Sequence, residues 1–233
     1  NSWGWLEEID KKVLKNVRVL SGDIRDFQRI FLATKKVECI INLAALIGIP
    51  YSYSSPESYI HTNIIGTSNI LNAGIKNNVS KIIHTSTSEV YGTPRKLPIN
   101  EDAILNAQSP YAATKISADH LALSFNKSFG VPVGILRPFN TFGPRQSARA
   151  IIPTIISQLI SNKKVKVGNI NPTREFNYID DIVSAFKLSI NNKKIIGEVV
   201  NIGNGFDISI KDLGNLISDI MKKEIKFEII KSR

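Results

Sequence analysis

Apolar and polar positions along the chain alternate between short strand-like runs and longer stretches of helical period. Val17-Arg18-Val19-Leu20 predicts a short strand, and Val37 to Leu43 predicts a second, ending in Asn42-Leu43-Ala44-Ala45. Pro56 opens a helix to about Asn77, with Tyr59, Ile60, Ile64, Ile70 and Leu71 as its apolar positions. Lys81-Ile82-Ile83-His84-Thr85 predicts a buried strand, and Val131 to Leu136 another. Between them Ser109 is a good N-cap and Pro110 suits the first helical position, so a helix is expected onward through Ala-Ala-Thr-Lys-Ile-Ser-Ala-Asp-His-Leu-Ala-Leu. Further along, Ala150 to Ser161 predicts an apolar helix, Lys164 to Val167 a strand, Glu198 to Ile202 a strand, Ser209 to Lys222 a helix and Ile225 to Ile230 a strand. Strands alternating with helices in this way predict an α/β class. No internal repeat or low-complexity segment interrupts the pattern.

Composition narrows the function classes. The 233 residues are 42% hydrophobic and 21% charged, ordinary globular material, and no apolar run is long enough to span a bilayer. The opening residues lack a signal-peptide pattern, so the expected location is cytoplasmic, with no membrane partner. Cys39, the single cysteine, lies in the apolar run Val37-Glu38-Cys39-Ile40-Ile41; a buried thiol in a reducing compartment is expected. The formal charge is +10, yet the lysine pairs Lys35-Lys36, Lys163-Lys164, Lys193-Lys194 and Lys222-Lys223 are dispersed over apparent loops and helix ends. No basic stripe with interleaved aromatics is present, and nucleic acid is not an expected partner. A Lys-, Asn- and Ile-rich bias accounts for the charge more simply than a role in attracting anionic substrates does. His61, His84 and His120 have no metal-ligand spacing, and no metal is expected.

Candidate chemistry centres on Ser109-Pro110-Tyr111-Ala112-Ala113-Thr114-Lys115. Tyr111 and Lys115 stand at i and i+4, leaving one helix face a turn apart. An ammonium beside a phenol favours the phenolate and would bring Tyr111 toward the working pH as a general base. The same residues also read as a half-buried tyrosine with a solvated lysine. Upstream, Ser86-Thr87-Ser88-Glu89 follows the strand Lys81–Thr85 at its carboxyl end, the edge of an open α/β sheet where ligands bind. Three hydroxyls and a carboxylate there could contact a sugar and move its protons, or form a polar turn with a solvated glutamate.

With Ser86/Thr87, Tyr111 and Lys115 in this order, the sequence resembles the extended short-chain dehydrogenase/reductases that act on nucleotide sugars. Within that family it looks most like the NAD-dependent 4,6-dehydratases of legionaminic acid biosynthesis, through Asn1-Ser2-Trp3-Gly4-Trp5-Leu6, Ile49-Pro50-Tyr51-Ser52-Tyr53 and Arg137-Pro138-Phe139-Asn140-Thr141-Phe142-Gly143-Pro144-Arg145-Gln146-Ser147-Ala148-Arg149. The resemblance implies a Rossmann-like doubly wound parallel sheet over residues 1–143 that binds NAD. It also implies a substrate lobe over 144–233, with some segments returning to the sheet. Asp23 and Ile24 would meet the adenine, although Asp23 also reads as a helix cap for which Asp26 is the better candidate. Leu43, Ala44 and Ala45 would let backbone approach the cofactor or simply allow tight packing. Thr85, Tyr111, Lys115 and Pro138 complete the cofactor set. Thr87, Asn140, Arg149 and Arg174 would bind substrate, Arg174 through its planar fork or, alternatively, as a surface ion pair with Glu175 or Asp180. Asn63 would lie beneath the active site, and Ile47 to Tyr53 would be a loop beside it. A homodimer is implied for the full-length protein.

The chain starts at Asn1 and stops at Lys231-Ser232-Arg233, and no Gly-x-x-Gly-x-x-Gly occurs near the amino terminus. The expectation is therefore a portion of a longer enzyme whose first βαβ segment lies upstream. The expected activity is a nucleotide-sugar 4,6-dehydratase on an N-acetylglucosamine nucleotide, with Thr87, Ser88, Glu89, Tyr111 and Lys115 as the catalytic set. Relatives acting on thymidine-diphosphate glucose carry Asp-Glu where this chain has Ser88-Glu89, whereas those acting on GDP-mannose carry Ser-Glu. UDP-glucuronate decarboxylases also use Thr-Ser-Glu, and 4-epimerases place a small residue at Glu89. A fragment acting only as a binding module is the reading from another class.

Overall fold

The computed structural model describes residues 2–161 and 164–230. Asn1, Asn162, Lys163 and the closing Lys231-Ser232-Arg233 lie outside the described residues. Nine strands follow one another along the described chain: β1 (Cys39–Asn42), β2 (Lys81–Thr85), β3 (Val133–Pro138), β4 (Asn140–Phe142), β5 (Val165–Val167), β6 (Thr173–Tyr178), β7 (Val199–Ile202), β8 (Asp207–Ser209) and β9 (Phe227–Ile229). They belong to two compact units. One holds the residues up to Pro138 together with Ser184–Asn201; the other holds Phe139–Val183 and the residues from Ile202 onward.

The first unit is built on a Rossmann-like sheet in the order β1-β2-β3-β7. β1 runs parallel to β2 and β2 parallel to β3, with Ile40 opposite Ile82 and His84 opposite Ile135. Parallel strands covered on both faces need apolar side chains throughout, which is why β2 and β3 are buried along almost their whole length. Ile40, Ile82, Val133 and Ile135 pack with Ile70 and Leu71 from the Gly66–Lys76 helix and Ala122 from the Pro110–Phe129 helix.

That second helix starts as its sequence dictates. Ser109 is the N-cap, its hydroxyl accepting from the Ala112 N–H at 3.1 Å, and Pro110 occupies the first turn. It ends at Gly130, whose φ of +67° is the left-handed cap that glycine adopts without penalty. The segment opened by Pro56 is α-helical over Pro56–Tyr59, a π-helical turn over Ile60–Ile65 and α-helical again over Gly66–Lys76. Such wide turns concentrate at functional sites.

Three expectations need correction here. Val17-Arg18-Val19-Leu20 is not a strand; it pairs with no neighbour among the described residues, and an extended run becomes a strand only when a partner takes its backbone groups. Ile47 to Tyr53 is not simply a loop, because Pro50 in the first turn sets a short helix over Ile49–Ser54. Cys39 is half-buried rather than buried.

The second unit pairs β4 parallel to β6, β6 antiparallel to β8, and β5 parallel to β9. Ile155 and Leu159 of the Ile151–Ile160 helix meet Val165 and Val167, together with Ile210, Leu213 and Ile217 of the Ile210–Met221 helix.

Candidate functional site

Tyr111 and Lys115 leave the first two turns of the Pro110–Phe129 helix and are both buried, at 6% and 4% exposure. The Lys115 ammonium donates to the Thr85 carbonyl at 2.6 Å, so it sits at the carboxyl end of β2. The Tyr111 ring lies edge-on to Tyr59 with centroids 6.2 Å apart, and the Tyr59 hydroxyl donates to the Gly48 carbonyl at 2.5 Å. Beneath them Asn63, in the π-helical turn, accepts from the Leu46 N–H at 2.8 Å. Its amide donates to the Leu46 carbonyl and to the Thr114 hydroxyl, each at 3.0 Å.

The expected lowering of the Tyr111 pKa by Lys115 is not what this structure shows. Burial pushes the Tyr111 phenol up to about 12; a hydrogen bond with Thr87 pulls the other way, while Glu89, Tyr59 and Asp119 push it higher. Lys115 is itself brought down to about 8 by burial, with Asp119 opposing. The physical reason is that helical spacing places the ammonium near the phenol but says nothing of desolvation, which here is the largest influence on both groups.

The turn after β2 is brought to the same place. Thr87 is extended and caps a 3₁₀ turn over Ser88–Tyr91, its hydroxyl accepting from the Glu89 N–H at 3.2 Å. Ser88 and Glu89 are half-buried, and Glu89 acts electrostatically on Tyr111. Gly92 ends the turn at φ +59°, where a Cβ would run into the Asn106 carbonyl; only glycine fits. Thr87, Ser88, Glu89, Tyr111 and Lys115 are therefore one cluster at the carboxyl edge of the sheet, with Thr85 beside it.

Asp23, Ile24, Leu43 and Ala44 line a separate groove of about 380 Å³ in the same unit, along with Gly22 and Asn42. Ala45 follows in the chain, half-buried. Leu43 is 67% exposed, an apolar side chain facing outward directly after β1. Asp23 pairs with Arg25 at 2.6 Å, and this guanidinium holds its carboxyl down at about 2. Asp26 caps the following helix by accepting from the Arg29 N–H at 3.1 Å. Pro138 ends β3.

The remaining three candidates belong to the second unit. Asn140, on β4, donates from its amide to the Glu175 carbonyl at 3.1 Å. Arg174 is exposed on the neighbouring β6 and donates to the Thr173 carbonyl at 2.8 Å. Arg149 is exposed just ahead of the Ile151–Ile160 helix, with its N–H at 3.4 Å from the Ser147 hydroxyl.

Sequence reasoning missed a buried polar network in the first unit. Asp119 accepts from the Ser86 hydroxyl at 2.8 Å and from Arg137 at 2.9 and 3.0 Å. Arg137 also donates to the Tyr91 hydroxyl at 2.9 Å, which donates to Asn201 at 2.7 Å. On the other side, His84 Nε2 is 3.6 Å from Asp119, and its Nδ1 is 3.4 Å from the Asn42 amide. Burial keeps His84 well below its ordinary pKa, with Lys115 adding to the effect, so the ring is neutral. One signal was available: Asp119 stands four residues beyond Lys115, on the face that carries Tyr111.

Known proteins share this arrangement of chain. A family model described as GDP-mannose 4,6 dehydratase matches residues 1–232. The dTDP-D-glucose 4,6-dehydratase of Dictyostelium discoideum is 37% identical over 219 residues, which are 88% of this chain and 50% of that protein. The chain thus spans half the length of this relative. Among solved structures, a UDP-N-acetylglucosamine 4-epimerase from Methanobrevibacter ruminantium M1, in complex with UDP-N-acetylmuramic acid, is 30% identical. It superimposes with a TM-score of 0.91 over all of this chain and 76% of its own. DesIV, a dTDP-glucose 4,6-dehydratase from Streptomyces venezuelae with NAD bound, is 26% identical with a TM-score of 0.88, over 96% of this chain and 72% of its own.

Proposed function

The chain belongs to the GDP-mannose 4,6 dehydratase family, and on that premise we propose that it is the catalytic part of an NAD-dependent nucleotide-sugar 4,6-dehydratase. The substrate proposed is an N-acetylglucosamine nucleotide, and the setting is legionaminic acid biosynthesis for a cell-surface polysaccharide. The observation that carries the reading is the cluster itself: Tyr111, held by Thr87, with Glu89 acting on it and Lys115 bound to the end of β2. A base for the C4 hydroxyl, a second base for C5 and a buried cation are the groups this chemistry requires.

NAD fits the residues present. The groove lined by Asp23, Ile24, Leu43 and Ala44 offers an apolar surface and small side chains for a nucleotide. The Thr85 hydroxyl is buried without a hydrogen-bond partner in the structure, which leaves a polar atom for a ligand to satisfy. Bound NAD⁺ supplies a reversible hydride acceptor and a positively charged ring that favours the Tyr111 phenolate. Tyr111 takes the proton of the C4 hydroxyl, and its hydrogen bond with Thr87 orients the phenol. Lys115 holds positive charge at the helix face below. Once C4 is a ketone, the C5 proton is acidic and Glu89 removes it. The hydroxyl at C6 leaves as water, protonated by Glu89 or by the adjacent Ser88; the hydride taken from C4 would then return to C6 and a proton to C5, so the product differs from the substrate by one water. Asn140, Arg149 and Arg174 are proposed to hold the nucleotide sugar, and the active protein is proposed to be a cytoplasmic homodimer.

A second reading has specific support. The likeness to a UDP-N-acetylglucosamine 4-epimerase favours oxidation at C4 followed by return of hydride to the same carbon. A decarboxylase acting on UDP-glucuronate would use the same first step. Mass analysis of products separates the three. The protein, expressed from its complete reading frame, is offered several N-acetylglucosamine nucleotides with NAD. Dehydration gives a product lighter by one water, epimerisation leaves the mass unchanged, and decarboxylation requires a uronate.

A further inference from the structure

We propose that Asp119 is a positioning residue for the Tyr111–Lys115 pair: its one carboxylate ties the Ser86–Thr87 turn and β3 to the helix, and it keeps the buried Lys115 ammonium charged. The consequence for turnover rests on the functional reading above; the effect on Lys115 does not.

The geometry is specific. Asp119 is one helical turn beyond Lys115 and 1% exposed. Its Oδ2 accepts from Ser86 of the turn after β2 and from two nitrogens of Arg137 on β3, itself 3% exposed. The helix and the turn that carry the candidate catalytic groups therefore meet β3 at a single oxygen. Ser86 directly precedes Thr87, which acts on the Tyr111 phenol, so the bond from Ser86 to Asp119 ties that turn to the helix.

The second oxygen indicates an electrostatic role. Oδ1 is buried, has no hydrogen-bond partner, and faces His84 Nε2 at 3.6 Å, which is likewise without one. A buried ion pair is weak evidence for a stabilising role, since apolar residues of equal volume often serve a fold as well. Leaving one carboxylate oxygen without donors adds a further cost. Burial raises the Asp119 carboxyl while Arg137, Ser86 and Lys115 hold it down, so Asp119 and Lys115 each favour the charged form of the other.

The charges around Lys115 settle which cation depends on it. On its own helix are Tyr111 and Asp119; His84 lies on β2, Arg137 on β3, and Glu89 and Tyr59 flank Tyr111. His84 is neutral, so among the described side chains around Lys115 it is the ammonium that yields when the buried Asp119 anion is removed. Asp119 already opposes the effect of burial on Lys115.

The test reads Lys115 directly. The chain is labelled with ¹³C at lysine Cε, the Lys115 signal is identified by its loss in Lys115→Met, and its pH titration is followed by NMR. In Asp119→Asn, which keeps the shape, the midpoint is expected to fall by at least about one pH unit, the lower end of the effect of an opposite charge at close range. An unchanged midpoint in folded Asp119→Asn overturns the proposal. Arg137→Gln gives an independent arm, because it removes a competing cation and leaves Asp119: the midpoint should rise, and a fall contradicts the proposal. In turnover assays, Asp119→Asn should lower kcat more than it changes KM and move the alkaline limb of the pH profile to lower pH. A shifted midpoint in a protein that converts no nucleotide sugar supports this inference and counts against the functional reading instead.

Discussion

Lys115 donates from its ammonium to the backbone carbonyl of Thr85 at 2.6 Å, which fastens the helix bearing Tyr111 to the carboxyl end of β2. A charged side chain at 4% exposure carries a desolvation cost, and that cost is visible as a pKa of about 8 in place of 10.5.

That lowering makes a prediction for stability against pH. Between about 8 and 10.5 the unfolded chain holds a proton on Lys115 that the folded chain has released, so stability rises with pH across this window. Below 8 the group is protonated in both states and the cost of burying it is fully felt. At roughly 1.4 kcal/mol per unit of pKa, the protein should gain on the order of 3 kcal/mol relative to Lys115→Met across the window. Urea unfolding of both proteins at the two ends measures it; parallel curves would show that Lys115 is not desolvated.

Tyr111→Phe keeps the ring packing against Tyr59 and removes only the hydroxyl that Thr87 engages. Turnover should fall by about 10²–10⁴, the range for a positioned acid–base group, while substrate affinity stays nearly constant. Steady-state kinetics on both proteins checks this. Turnover near that of the unsubstituted enzyme would return Tyr111 to a packing role.

Asn63→Ala should destabilise the fold by about 1–3 kcal/mol, because it leaves the half-buried N–H and carbonyl of Leu46 without their partner and takes one bond from the Thr114 hydroxyl, which keeps its donation to the Tyr111 carbonyl. Denaturant unfolding reads the loss. A variant of unchanged midpoint would mean that water replaces the amide freely.

The parts of this site that sequence revealed are the local ones. Ser109, Pro110, Tyr111 and Lys115 lie within seven residues, so capping and helical spacing placed both side chains before any fold was known. The buried runs of β2 and β3 were legible for the same reason. What lay outside local pattern was lost. Asp119 is 33 residues from Ser86 and 18 from Arg137; its helical spacing from Lys115 marks its face but not these partners. Thr173–Tyr178 is a strand in which Thr, Arg, Glu and Asn outnumber Phe176 and Tyr178, and its pairing with β4 and β8 makes it one. Val17–Leu20 has the composition of a strand without a described partner. The direction of the Tyr111 shift was misread because spacing reports proximity of charge, whereas burial decides the sign.

The central claim is that Glu89 removes a proton from C5 of a nucleotide sugar after Tyr111 has enabled oxidation at C4. Turnover of an N-acetylglucosamine nucleotide in deuterated water, compared between the protein and Glu89→Gln, tests it most directly. The unsubstituted protein should give a dehydrated product carrying solvent deuterium at C5. Glu89→Gln keeps Tyr111 and Lys115, so it should still form the 4-keto sugar, but an amide cannot accept the C5 proton. No deuterium should enter at C5, and no dehydrated product should form. Deuterium incorporation and dehydration by Glu89→Gln at the rate of the unsubstituted protein would contradict the account.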